Sequence, residues 1–348
     1  MYYRFYPYTA KLNTLFTGHQ PLEDLAAHID VLCEQETAQR PKRIFLEDDL
    51  EKIVAVQEGT RLGNEMLRLQ GGTATHKATI RYTLRNVFAY ANGFSQAHQS
   101  HYRFGELAHT HMLTGDVKKC DAAHFCLYPN AMMHFAHWVH EACAIALLDE
   151  QDESVILPPR KNWAHTAQYA DLFEITSEPG ELFFVKEFHA YQDFSQNSSK
   201  AARYAIMRDR IRQKIKPHGN RFIYLSRGTT GEKRDIANEH ELVSFLETQG
   251  FVIVEPEKLS VTEIMEQCLG AEMVVSMEGS QLTHAAFSLK KDGFILALVP
   301  ADRFINLYAD YADSMGLHYS MCLVEGTKDC GYKVNLDRFK KVLDLCLS

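Results

Sequence analysis

Four short apolar runs organise the C-terminal third of the chain. Residues 222–225, 251–254, 273–275 and 294–299 are rich in Val, Ile, Leu and Phe, and three segments of helical periodicity separate them. Runs this short and this apolar suit strands buried on both faces of a parallel sheet. The segments between them carry helix punctuation. Asn238 with Glu241, and Ser260 with Glu263, read as capping boxes. Gly250 stands just past the first segment, where a left-handed stop is needed. Leu242, Val243, Phe245 and Leu246 form one apolar stripe on that first helix. The alternation predicts a right-handed, doubly wound α/β half.

The rest of the chain has a weaker pattern. A helix is expected over 21–39, short strands over 44–46 and 53–56, and a loop-rich stretch over 60–75 because of Gly59, Gly63, Gly71 and Gly72. Asp48-Asp49 reads as a solvated acidic turn in preference to a metal-binding pair. Residues 130–150 read as a helix capped by Asn130, with His134, His137, Trp138 and Glu141 at three- and four-residue spacing on one face. A strand over 155–157 is followed by Pro158-Pro159, and 169–175, 182–185 and the Ser/Asn-rich 195–199 continue the N-terminal half. A basic amphipathic helix over 200–216 has Ala202, Ile206, Ile211 and Ile215 among its apolar positions. Residues 217–220 then break the chain. The expected division is 1–216 as one α/β domain and 217–334 as a second, with a terminal helix at 335–348 packing back on the first. Helix 303–315 ending at Gly316 and strand 319–324 complete the second. No internal repeat or low-complexity segment occurs.

Composition narrows the class. At 348 residues with 46% hydrophobic side chains, two domains can each bury a core. The formal net charge of −8 supplies no basic stripe for nucleic acid and opposes strong docking on an anionic membrane. No run of about eighteen apolar residues marks a membrane span, and the first residues lack the layout of a signal peptide. The eight cysteines form no C-x-x-C and sit in apolar patterns, which suits a reducing cytosol. His98-x-x-His101 and His109-x-His111 raise the question of zinc, but no H-E-x-x-H appears and the aromatic surroundings read as a mixed surface. Gly228 to Lys233 imitates a phosphate loop without its spacing, with Arg234 where Ser or Thr belongs. Neither G-x-G-x-x-G nor G-x-S-x-G is present.

Ligands of doubly wound sheets bind at the carboxyl ends of the strands. After the first strand come Ser226, Arg227, Gly228 and Arg234. After the third come Glu278, Gly279, Ser280, Gln281, Leu282 and Thr283, opening a helix. Guanidinium forks and the amides of a helix start together describe a seat for a diphosphate. The competing reading leaves the arginines in surface ion pairs and Gly279 in a simple turn.

The stretch Tyr224-Leu225-Ser226-Arg227, Arg234, Asn238-Glu239, Glu241-Leu242, Gly250-Phe251, Pro256-Glu257, Leu259-Ser260, then Gly279, Leu282-Thr283 and Phe287, resembles the family 61 glycosyltransferases. So does His137-Trp138 with Glu141 upstream. The resemblance is close over 221–299, patchy over 125–160 and weak in the first 120 residues. It implies a GT-B architecture, two Rossmann-like domains facing a cleft. It also implies an inverting, metal-independent transfer from a nucleotide-sugar, a UDP-sugar by preference, to a glycan or lipid-linked glycan in bacterial capsule or lipopolysaccharide synthesis. No cofactor is implied beyond the nucleotide-sugar co-substrate. The location implied is cytoplasmic, at the inner face of the membrane, with peripheral association. Many members carry His where this chain has Glu278.

Within that resemblance Arg227 and Arg234 take the leaving diphosphate, with Ser226, the amides at 279–282, and Ser280, Gln281 and Thr283. Pro256, Glu257 and Leu259 flank the nucleoside. His134 and Trp138 serve the acceptor. His137, oriented by Glu141, is the first candidate for general base because imidazole titrates near neutrality. Glu278 is the second. Two alternatives remain: a non-catalytic nucleotide- or glycan-binding protein on the same scaffold, and a metal-dependent hydrolase using the His-rich N-terminal half. Oligomeric state is open.

Overall fold

A computed structural model describes residues 2–18, 20–90, 93–97, 100–101, 109–126, 129–148, 154–158, 163–228 and 231–348. His98 lies outside them, as do the side chains of His101 and His109. The chain divides into two compact units, residues 1–36 with 77–203 and residues 37–76 with 204–348. The second therefore takes in an N-terminal segment assigned by sequence to the first half, and the change-over falls inside a helix, Ser198–Lys214, before the 217–220 break.

The second unit carries a six-stranded sheet. From one edge it runs Phe251–Val254, Phe222–Leu225, Met273–Met277, Phe294–Pro300, His318–Thr327 and Gly331–Lys333. All neighbours are parallel except the last pair. In chain order the first five strands stand second, first, third, fourth, fifth, the order of a doubly wound sheet that reverses between its first and third strands. Every residue of Met273–Met277 is buried, as two covered faces require. One face packs Tyr224, Val275, Met277, Leu296 and Leu298 against Leu242 and Leu246 and against Phe339, Val342 and Leu343. Those last three belong to the terminal helix Leu336–Leu347, which thus covers the sheet of its own unit.

Helix punctuation is met in part. The Ser260–Glu263 capping box forms, and Gly250 and Gly316 adopt positive φ at helix ends. Asn238 does not cap. Its amide donates to the Val334 carbonyl at 2.9 Å and accepts the Val334 N–H at 2.9 Å, so it ties a helix start to the far edge of the sheet.

The first unit has a different sheet. Its long strands Thr79–Tyr90 and Leu182–Gln192 pair antiparallel. Leu182–Gln192 also runs parallel to Lys118–Phe125, which runs parallel to Ser154–Ile156. Doubly wound order is thus a feature of the second unit's sheet. The helix expected over 21–39 is a single turn, Leu22–Leu25, followed by strands His28–Cys33 and Glu36–Arg40. Pairing of His28–Cys33 with the Thr79 strand overrides the local preference. The stretch 60–75 is ordered as helix Leu62–Gln70, stopped by Gly71 at φ 78°, and strand Gly72–His76. Its glycines punctuate a helix whose apolar residues were too few to announce it. The helix Ser198–Lys214 meets its expected pattern in part: Ile211 and, just past its end, Ile215 are buried, but Ile206 is 39% exposed while Lys200, Arg203 and Arg208 are buried.

Asp48 and Asp49 are a structural pair. Arg338 donates to Asp48 at 2.7 and 2.8 Å and to Asp49 at 2.6 and 2.9 Å. Asp49 is 1% exposed, so removing its partner strands a buried carboxylate. We predict that Arg338→Met lowers unfolding free energy by about 3 kcal/mol, whereas Asp48→Asn has little effect. Equal losses in urea titrations of the two variants would contradict the assignment.

Candidate functional site

The carboxyl ends of the strands Phe222–Leu225 and Met273–Met277 lie side by side at the point where the strand order reverses. Ser276 donates to the Leu225 carbonyl at 2.7 Å and fastens the two ends together. Arg227 leaves the first end and Glu278-Gly279 the second. They converge, because a Cβ added at Gly279 would collide with Arg227 Nη1 and lie 3.1 Å from Arg234 Nη1. Gly279 holds φ at 154°, within the range that favours glycine.

Glu278 fixes the arrangement. It is 5% exposed, and Arg234 Nη1 donates to its carboxylate at 2.8 Å and its carbonyl at 2.5 Å. Arg303 donates to the same carboxylate oxygen at 2.5 Å. Arg227 donates to Gln281 Oε1 at 2.8 Å and to the Glu232 carbonyl at 2.6 Å. Burial, and then the neighbouring Arg234, bring the Arg227 guanidinium down to about 10, still cationic at neutral pH. Burial also lowers Arg234. Three guanidiniums thus face two carboxylates, Glu278 and Glu232, an excess of one positive charge at a strand-end crevice.

Several residues expected to touch a diphosphate are used internally. Thr283 is fully buried, with its hydroxyl 3.0 Å from that of Tyr308. Leu282 is core. The Leu282 and Thr283 amides bond to the carbonyls of Gly279 and Ser280, which narrows the amide cradle to 279–281. Gln281 braces Arg227 and donates to the Met277 carbonyl at 2.7 Å. Ser226 donates to the Val254 carbonyl at 3.4 Å.

A depression of about 370 Å³ opens beside Arg227, between the ends of the Phe222 and Phe251 strands. Ser226, Gly228, His240, Pro256 and Glu257 are among its lining residues. It is separate from the arginine cluster and meets it at Arg227. A Cβ at Gly228 would run into the Glu257 carboxyl group, so the glycine allows that side chain to lie across the loop. Pro256 is buried, Glu257 exposed and Leu259 half-buried.

The residues expected on the acceptor side lie in the first unit. The expected continuous helix is broken: Phe135–His137 is α, Trp138–Ala142 is π and Cys143–Ile145 is α. One π turn shifts the spacing that had put four side chains on one face. Trp138 is fully buried, and its indole N–H points to the Pro158 carbonyl at 3.5 Å, so it offers no aromatic plane at a surface. His134 is exposed and His137 half-buried. Glu141 is engaged by a lysine. It pairs with Lys200, whose ammonium also donates to the Asp193 carbonyl at 2.5 Å. Arg203 grips Asp193 with two bonds of 2.9 Å. These four ions are buried and balance two against two. Burial, then His134 and Lys200, push His137 down to about 4, so it does not titrate near neutrality. Glu278, the second candidate for base, is held between two arginines.

Residues 135–295 match the family described as Glycosyltransferase 61. This stretch is a glycosyltransferase family 61 domain, and the protein is a glycosyltransferase. No curated protein matches the chain. The matched segment holds the π turn of the first unit and the Arg227, Arg234 and Gly279 cluster of the second, and stops short of Arg303. Arg303 and Glu232 were missed in the sequence. Arg303 follows the Phe294–Pro300 strand, so the strand-end rule that found Arg227 could have found it, had residues 303–315 not read as one helix. That helix begins only at Leu307.

Among the described residues no three His, Cys, Asp or Glu side chains are grouped to hold a metal, and no helix is long and apolar enough to cross a membrane. No disulfide is formed among the eight cysteines.

The lowered pKa of His137 has a stability consequence. The unfolded ring, at about 6.5, takes up its proton before the folded ring does. Its contribution to stability is full above about pH 6.5 and is lost as pH falls towards 4. We predict that the thermal midpoint of the glycosyltransferase falls less steeply between about pH 7 and pH 4.5 in His137→Gln than in the parent. Identical slopes would contradict this.

Proposed function

We propose that the six-stranded unit binds the nucleoside diphosphate of a sugar donor and that the enzyme transfers the sugar with inversion. The observation that carries the reading is the convergence of Arg227 and Arg234 on Gly279 where the strand order reverses. Departure of a diphosphate needs positive potential that is already in position when the charge develops. Guanidiniums held by the buried Glu278 carboxylate and by backbone carbonyls supply it without reorganisation.

In this reading the pyrophosphate lies against Arg227, Arg234 and the amides at 279–281, and the nucleoside occupies the adjoining depression against Pro256. Glu257, leaning over Gly228, is its ribose partner. The donor is a UDP-sugar, the acceptor a glycan or lipid-linked glycan, and the setting bacterial capsule or lipopolysaccharide synthesis at the inner face of the membrane. The donor half is that of a GT-B enzyme, with protein cations in place of a metal on the diphosphate. His137 is the base. Burial keeps its ring neutral at pH 7, ready to accept a proton. With a pKa near 4 it works below the optimum for general-base catalysis, so binding of the acceptor must raise it.

The test is a thermal-shift screen with UDP, GDP and CMP, followed by variants. A ligand at a hundred times its Kd adds about 2.7 kcal/mol of apparent stability. Arg227→Ala should abolish the shift given by the preferred nucleotide. His137→Ala should keep the shift and lower the transfer rate by about 10²–10⁴. Loss of nucleotide binding in His137→Ala, with binding kept in Arg227→Ala, would overturn the assignment.

A further inference from the structure

Glu232 occupies a position that no part of the reading above uses. Its carboxylate oxygen lies 3.3 Å from Arg234 Nη2 and 3.3 Å from Arg303 Nε. Its carbonyl accepts from Arg227. One residue therefore touches all three guanidiniums. The other carboxylate in the cluster, Glu278, behaves differently. Its side chain is 7% exposed and its contacts to Arg234 and Arg303 are 2.8 and 2.5 Å. The Glu232 side chain is 54% exposed and its contacts are longer. Glu278 is built in, whereas Glu232 is held by a weak, water-accessible ion pair.

We propose that Arg303 is a third ligand of the donor diphosphate and that the Glu232 carboxylate is an internal competitor for the same guanidinium edges, displaced when the diphosphate binds. The charge count fits. Three arginines against Glu278 and Glu232 leave one positive charge, and with Glu232 turned away to solvent they leave two. Phosphoryl oxygens make shorter, bidentate, charge-assisted bonds to arginine than a lone carboxylate oxygen at 3.3 Å can. Exchange therefore favours the diphosphate while discriminating against ligands with a single weak negative charge. The exposed side of Glu232 gives it somewhere to go without opening the core. Arg303 stays in place throughout, because Glu278 holds its other edge.

This inference rests on the diphosphate reading, and one experiment separates the two. Inorganic pyrophosphate is titrated calorimetrically into the parent, Glu232→Gln, Glu232→Asp and Arg303→Gln, with circular dichroism melts to check that each folds. We expect Glu232→Gln to bind pyrophosphate about three- to fivefold more tightly, the scale of an exposed ion pair. Glu232→Asp should match Glu232→Gln, because the shorter side chain keeps the charge but cannot bridge both arginines. Arg303→Gln should bind about tenfold more weakly. Parent-like affinity in Glu232→Gln or in Arg303→Gln overturns the inference and leaves the diphosphate reading intact. So does parent-like affinity in Glu232→Asp beside tighter binding in Glu232→Gln, which would mean a field effect without occupancy. No binding of pyrophosphate to the parent overturns both.

Discussion

Glu278 sits at the carboxyl end of a strand buried on both faces, where water is nearly excluded. An ionised carboxylate in such a place must find cationic partners close by. Its partners come from two separate loops. Arg234 follows the first strand of the sheet and Arg303 the fourth. A third arginine, Arg227, is held at one remove through Gln281 and the Glu232 carbonyl. The buried acid thereby sets the positions of cations that would otherwise be long and mobile. Gly279, with no Cβ, lets the guanidiniums close over the strand end. Everything proposed about the donor depends on this preorganised excess of positive charge.

The buried ions of the first unit make a useful contrast. Glu141, Asp193, Lys200 and Arg203 are at least as well buried, and Asp193 has its pKa lowered in spite of that burial because Lys200 and Arg203 lie against it. Their charges cancel and their hydrogen bonds close on one another and on backbone carbonyls such as Ala144. That network braces the π turn against the helix Ser198–Lys214. It has the chemistry of a scaffold. The two clusters share residue types and differ in charge balance and access to solvent, and those differences separate a candidate ligand site from a brace.

The sheet of the second unit was legible because its strands are short, continuously apolar and separated by punctuated helices. Strand-end chemistry then pointed to Arg227, Arg234 and Gly279 together. Other features were hidden for identifiable reasons. The spacing of His134, His137, Trp138 and Glu141 puts them on one face of a continuous α-helix, and nothing in the local sequence announced the π turn at Trp138–Ala142 or the full burial of Trp138. Thr283 looked like a phosphate ligand because the burial of its helix start and its Tyr308 partner are tertiary facts. The burial of Lys200 and Arg203 on the basic amphipathic helix was hidden because their acidic partners, Glu141 and Asp193, lie on other elements. Residues 62–70 read as loop because the glycines around the helix were more conspicuous than its apolar positions.

The central claim is that Arg227, Arg234 and the Gly279 backbone serve one anion, and Gly279→Ala tests it with a single methyl group. The added carbon meets guanidinium nitrogens and the Gln281 side chain, which are the movable ends of side chains. The contacts can give way, at the cost of backbone strain at φ 154°, while the arginines cannot keep their positions. Titration of the folded variant with pyrophosphate should show affinity reduced about tenfold or more relative to the parent. Affinity equal to that of the parent, in a variant that still melts cooperatively, would show that Gly279 and the arginines do not share a ligand.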